Sequence, residues 1–205
     1  MNKNVLIKLI TLAIAGMFHS AEANTVNIKF PNNSNVYTTS VGSFFDANIY
    51  VDSFADLGGF DLWLTYNSDN LAAQSLTSNT IFGADTDANF ANSIAPNSIH
   101  FAEAIAFDSP ATAGLNVTGP TLLGTVKFKA LTVSPINAAY LISFSSASGF
   151  YTFDGTPQGA TAQGGNVRVT VAPAAVPLPA SVFLFAPALL ALFGVQNKNR
   201  KMLLA

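Results

Sequence analysis

The 205-residue chain has no cysteine, which excludes disulfide bridges, thiolate metal centres and thiol nucleophiles in one step. Charge is also scarce, since Asp, Glu, Lys and Arg make up only 10% of the residues. From Asn24 to Val195 the only bases are Lys29, Lys127, Lys129 and Arg168, against ten acids. The net charge of that stretch is therefore about −6. A surface this poor in cations excludes nucleic acid as a partner, because phosphates are held by clustered Lys and Arg. Beyond the first 23 residues the single histidine is His100. No window between Asn24 and Pro173 repeats its apolar residues at helical spacing. The fold must then be held by apolar burial alone, and about 150 residues suffice for one adequate core.

Alternation at period two is present instead. Val26, Ile28 and Phe30 alternate with Asn27 and Lys29, and Phe45, Ala47, Ile49 and Val51 alternate with Asp46, Asn48, Tyr50 and Asp52. The same pattern runs through Phe60–Tyr66, Ile99–Phe107, Gly124–Ala130, Tyr140–Phe144 and Val167–Val171, each run bounded by Gly, Asn, Asp, Ser or Pro. Several short strands with one apolar face each predict an all-β sandwich of about nine strands over residues 24–172. Phe45, Ile49, Phe60, Leu62, Leu64, Val126, Phe128 and Val169 are its expected core, in keeping with 17 phenylalanines in the chain. Asn79–Asn97, rich in Ala, Asn and Asp, reads as a long surface connection.

The two termini read differently. Lys3 and Lys8 flank the start of the apolar run Val5–Phe18, and Ala21-Glu22-Ala23 follows. This is the charged, apolar and small-residue order of a secretory signal peptide over residues 1–23, with an uncleaved anchor as the alternative. Residues 173–180 form an Ala/Pro-rich spacer ending in Val176, Pro177, Leu178, Pro179 and Ala180. An apolar stretch from Ser181 to Val195 and the basic residues Lys198, Arg200 and Lys201 complete the segment 181–201. Such a stretch partitions into a bilayer with its basic end on the cytoplasmic side, although it is short for a full crossing. The three-part order resembles the PEP-CTERM sorting signal in its VPLPA variant. That resemblance implies a C-terminal membrane-anchoring sorting helix and processing by an exosortase near Pro179-Ala180. It also implies an exported protein, transiently held in the inner membrane and then released to the cell surface or extracellular matrix of a Gram-negative-type bacterium.

A second resemblance lies inside the sandwich. Val41-Gly42-Ser43-Phe44-Phe45, the segment Asp56–Asn67 with Gly58-Gly59-Phe60-Asp61-Leu62, then Leu71, and later Leu122–Ala130 are similar to the strands and hairpin of cohesin-like domains. Asn67 stands where that family usually has Asp. The resemblance implies a nine-stranded jelly-roll sandwich, shared with neighbouring carbohydrate-binding modules, that binds without catalysis.

The remaining candidates for chemistry are few. His100 has Glu103 on the opposite face of its strand and no nucleophile elbow nearby in sequence, so it reads as a strand histidine. Glu103 interrupts an apolar face, and a buried carboxylate needs partners, so a bulge or strand end is expected to turn it outward. Asp85-Thr86-Asp87-Ala88-Asn89 begins like a calcium loop, but Phe90 and Pro96 occupy the positions of the required Gly and Glu. No metal or cofactor is expected: the segment reads as a solvated loop, with a looser oxygen-ligand Ca²⁺ site in it as the alternative. Trp63 lies opposite the apolar face of its strand between Asp61 and Thr65, and with Tyr50 and Phe44 it would form an aromatic platform for a sugar ring. The expected function is a non-catalytic adhesion domain for a polysaccharide or another surface protein. A purely structural matrix component and a secreted hydrolase are the alternatives.

Overall fold

A computed structural model describes residues 23–87 and 92–172. Both terminal segments discussed above, including Val176–Ala180 and Lys198–Lys201, lie outside the described residues, as does Asn89 of the acidic loop.

The described chain forms thirteen strands and one short 3-10 turn, and among the described residues no helix is long and apolar enough to cross a membrane. The strands are β1 Thr25–Lys29, β2 Val36–Ser40, β3 Phe44–Asp52, β4 Leu57–Thr65, β5 Leu71–Ser78, β6 Ser93–Ala95, β7 Ser98–Ala104, β8 Thr121–Ala130, β9 Tyr140–Phe144, β10 Gly149–Thr152, β11 Pro157–Gln158, β12 Thr161–Gln163 and β13 Gly165–Thr170. The excess over the expected nine comes from short pieces such as β6, β11 and β12.

One sheet has the order β12-β1-β3-β8-β5. The other runs β11-β10-β4-β9-β13-β2 and carries β7 and then β6 along the remaining edge of β4. Their inner faces meet in one core. All eight expected core residues are buried there, joined by Val26, Ile28, Leu57, Phe101 and Val167. Ring contacts run through it from Phe30 to Tyr37 (5.5 Å), Tyr37 to Phe45 (5.7 Å), Phe45 to Phe128 (5.7 Å) and Phe128 to Tyr66 (5.3 Å). Gly124 is required where the Phe101 ring packs onto β8. A Cβ there would lie 2.7 Å from the Thr77 carbonyl oxygen and 2.8 Å from the Phe101 ring.

Two expectations are corrected here. Asn79–Asn97 is not all surface connection, since it buries Phe82 and contributes β6 to the sheet. Phe107, expected to share the inward face of Ile99 and Phe101, lies beyond the end of β7 and is fully exposed.

Candidate functional site: the outer face of β4 and β7

The strand β4 alternates cleanly once past its Gly58-Gly59 start: Phe60, Leu62 and Leu64 face the core, while Asp61, Trp63 and Thr65 face out. β7 pairs with it antiparallel, setting Trp63 opposite His100, Thr65 opposite Ser98 and Asp61 opposite Ala102. Directly opposed side chains on one face of an antiparallel pair lie within contact distance. The indole and imidazole accordingly stack, with centroids 4.2 Å apart and planes 13° from parallel. His100 Nε2 donates to Asp61 Oδ1 at 2.8 Å, since an ionised carboxylate can only accept. The imidazole is thus locked in both tilt and rotation.

The face is braced from the other edge of β4. Ser148 Oγ accepts from the Trp63 backbone N–H at 2.9 Å and donates to the Trp63 carbonyl at 3.2 Å, and the Ser145 N–H donates to that carbonyl at 2.7 Å. Thr65 and Ser143 join hydroxyls at 2.8 Å. With its backbone N–H and carbonyl held by Ser145 and Ser148 and its ring stacked, Trp63 still leaves 37% of its surface exposed. Asp61 also borders a cleft of about 260 Å³ floored by Gly58-Gly59 and walled by Ala104, Tyr151 and Phe153. The result is a rigid aromatic ridge beside a shallow socket, with hydrogen-bonding groups around it.

Chemically this arrangement offers an exposed ring face with hydrogen-bonding groups beside it. Among the described residues the side-chain hydrogen bond of His100 is the one to Asp61 Oδ1, which fixes the ring. No group of three His, Asp or Glu side chains capable of holding a metal occurs among the described residues. Asp85 lies instead in a short helical turn and accepts from Ser109 Oγ.

Two site expectations change. Tyr50 and Phe44 do not extend the Trp63 platform. They lie on β3, in the other sheet, so their outward side chains are on the opposite side of the sandwich. β3 and β4 are adjacent in sequence, but the chain crosses between sheets from one to the other. Glu103 is not turned outward either; it points inward in step with Ile99 and Phe101 and is only 3% exposed. Burial pushes its carboxyl above the usual carboxylate range, while hydrogen bonding to the backbone of Ile81 and Thr80 partly offsets the shift. Its Oε2 has no hydrogen-bond partner among the described residues. The sequence reading missed Asp61 as the brace and His100 as the stacking partner, and only the β4–β7 register would have revealed them.

No curated protein matches the chain in sequence. Solved structures do match in fold. A non-cellulosomal cohesin from the hyperthermophilic archaeon Archaeoglobus fulgidus is 15% identical, with a TM-score of 0.53 over 72% of this chain and 91% of that one. The cohesin–dockerin type I complex from Clostridium thermocellum gives 13% identity and a TM-score of 0.57 over 73% and 95%. The third ScaC cohesin of Acetivibrio cellulolyticus, solved with the ScaB dockerin, gives 16% and 0.55 over 73% and 99%. The cohesin domain family itself matches residues 26–169, spanning every strand from β1 to nearly the end of β13. By that match, supported by the sandwich just described, the chain belongs to the cohesin domain family.

Proposed function

We propose that the sandwich is a non-catalytic protein-binding module that docks a partner through the outer face of β4 and β7, on a protein exported and sorted by its C-terminal segment. The observation that carries the docking surface is the Trp63–His100 stack, braced by Asp61 on an otherwise sparsely charged face. A rigid aromatic with a satisfied backbone loses little freedom on binding, and Trp is prominent among residues that dominate interface energies. Membership of the cohesin family supports a protein partner, since relatives in that family were solved as complexes with dockerins. A dockerin-type module on another exported protein is the partner this reading favours over a polysaccharide or a purely structural role.

Sorting rests on Val176–Ala180, the apolar segment after it and the basic tail of Lys198, Arg200 and Lys201. In sequence the motif follows the end of the last described strand, Thr170, by a short Ala/Pro-rich spacer. Pro177 and Pro179 oppose a regular helix there. An exosortase would then cut near Pro179-Ala180 and release the domain to the surface or matrix.

The docking reading is tested by placing a photo-crosslinking residue at 63 and, separately, at 50 on the opposite sheet, in the native secreted mixture. Protein adducts from position 63 and not 50 support it. Retention on a glycan array without adducts moves the assignment to a polysaccharide, and neither outcome leaves the structural role. Mass spectrometry of the mature surface protein tests sorting, because a chain still ending at Ala205 refutes cleavage.

A further inference from the structure

At the end of the sandwich where β13 terminates, five large apolar side chains are exposed: Phe44, Leu131, Val133, Ile136 and Val171. Topology brings them together. The Val41 N–H donates to Thr170 O (2.9 Å) and the Gly42 N–H to Ala130 O (2.8 Å). Ser134 bonds Val169 in both directions, and the Leu131 N–H donates to Asn70 O at 2.8 Å. The turn after β2, the loop after β8 and the outgoing strand are therefore laced into one surface. The loop is further held by Tyr140, whose hydroxyl donates to Val133 O at 2.8 Å, and by Thr132 donating to Asn70 Oδ1 at 2.9 Å. Ile136 (89% exposed) and Val171 (73%) are thus presented to the outside by an ordered scaffold. The charges at this end are Lys129, whose ammonium lies 5.6 Å from the Phe44 ring centroid, Arg168 on β13 and Asp69 in the turn before Asn70.

The chain itself indicates what covers this surface. It leaves from here, and residues 173–180 separate Ala172 from the apolar segment beginning at Ser181. Eight residues span at most about 29 Å even when fully extended. We infer that this end of the sandwich is a bilayer-contacting surface. Ile136, Val133, Leu131 and Val171 enter the boundary between headgroups and acyl chains, and Lys129 and Arg168 meet lipid phosphate at its rim. The inference rests on residues 181–195 being held in the membrane. It adds an orientation: with this end down, both sheet faces stand free of the bilayer. A few side chains hold only weakly, so the contact lapses once the C-terminal segment is removed.

The absence of cysteine makes the test direct. Full-length Ile136→Cys and, as the reference at the opposite end, Phe107→Cys are labelled with an environment-sensitive fluorophore and reconstituted into phosphatidylethanolamine–phosphatidylglycerol vesicles. The expected result is a blue shift at 136 with quenching by headgroup-level nitroxide lipid, and neither effect at 107. Aqueous emission at 136 from protein that floats with the vesicles overturns the contact while leaving the anchor intact. Protein that fails to float removes the anchor and the contact together. A blue shift that needs no vesicles and grows with protein concentration indicates a second copy on this surface and also overturns the proposal.

Discussion

The two outer faces of the sandwich are built from the same alternating pattern, yet they carry different chemistry. On the five-stranded sheet each aromatic meets a lysine: Lys29 lies 5.6 Å from the Tyr50 ring centroid and Lys129 lies 5.6 Å from that of Phe44. Lys127 sits 3.3 Å from Asp46, and Thr125 donates to Asn48 at 2.8 Å. Three of the four bases in the sandwich are used in this way. On the eight-stranded sheet the aromatic stacks on an imidazole that a carboxylate holds in place. An exposed lysine moves on a flexible stem, so the first face is soft, whereas the ring stack is stiff. Alternation decides that a residue points out, and the neighbouring strand decides what it does there.

The comparison is broken most severely from beneath both faces. Phe128 is fully buried between Phe45 and Tyr66, and Phe128→Ala is expected to cost about 3–5 kcal/mol. Denaturant unfolding checks this, and a loss below about 1 kcal/mol would contradict the shared core.

Substitutions on one face at a time should then separate them. Trp63→Ala is expected to weaken partner binding by about thirty-fold, or about 2 kcal/mol, while Tyr50→Ala leaves it unchanged. Calorimetry with the cross-linked partner makes the measurement. Equal losses from both variants would show that the two faces do not divide the work.

A smaller effect comes from Glu103, on the inner side of the strand that carries His100. Its folded pKa is raised, so the stability linked to it is fully present below the ordinary glutamate value and is lost as pH rises through the folded pKa. Urea midpoints taken from about pH 4 upward should fall across that window, and Glu103→Gln should flatten the fall. Asp154 runs the other way, because hydrogen bonds from Thr152 and Thr156 depress it and its contribution is lost on acidification. A profile unaltered by Glu103→Gln would place the slope elsewhere. The smallest change is expected at the exposed Lys127–Asp46 pair, where a double-mutant cycle should give a coupling of about 0.2–1 kcal/mol that shrinks with salt. A coupling of several kcal/mol would mean that the lysine face is stiffer than its exposure implies.

Much of the core was legible because strand parity is local. Phe45, Ile49, Phe60, Leu62, Leu64, Val126, Phe128 and Val169 could each be assigned inward from neighbours two residues away, and all are buried. Glu103 shows how strong that parity is. Its polarity argued for an outward turn, but the strand kept its period and buried the carboxylate with Ile99 and Phe101. The outward direction of Trp63 follows from the same parity. Its partners were not legible, because His100 and Asp61 come together only through the pairing of β4 with β7. The grouping of Trp63 with Tyr50 and Phe44 failed for the same reason, since β3 and β4 follow one another in sequence but belong to different sheets.

Strand parity and the lack of cysteine already specify an all-β sandwich without disulfides and the apolar side of each main strand. The covalent geometry of an extended backbone sets side-chain direction within two residues. Which strands lie side by side, and with them the Trp63–His100–Asp61 ridge and the apolar end beside Ala172, emerges from the assembled fold. Neighbours are chosen by closing two whole sheets over one core, a condition that involves the entire chain and that no local window contains.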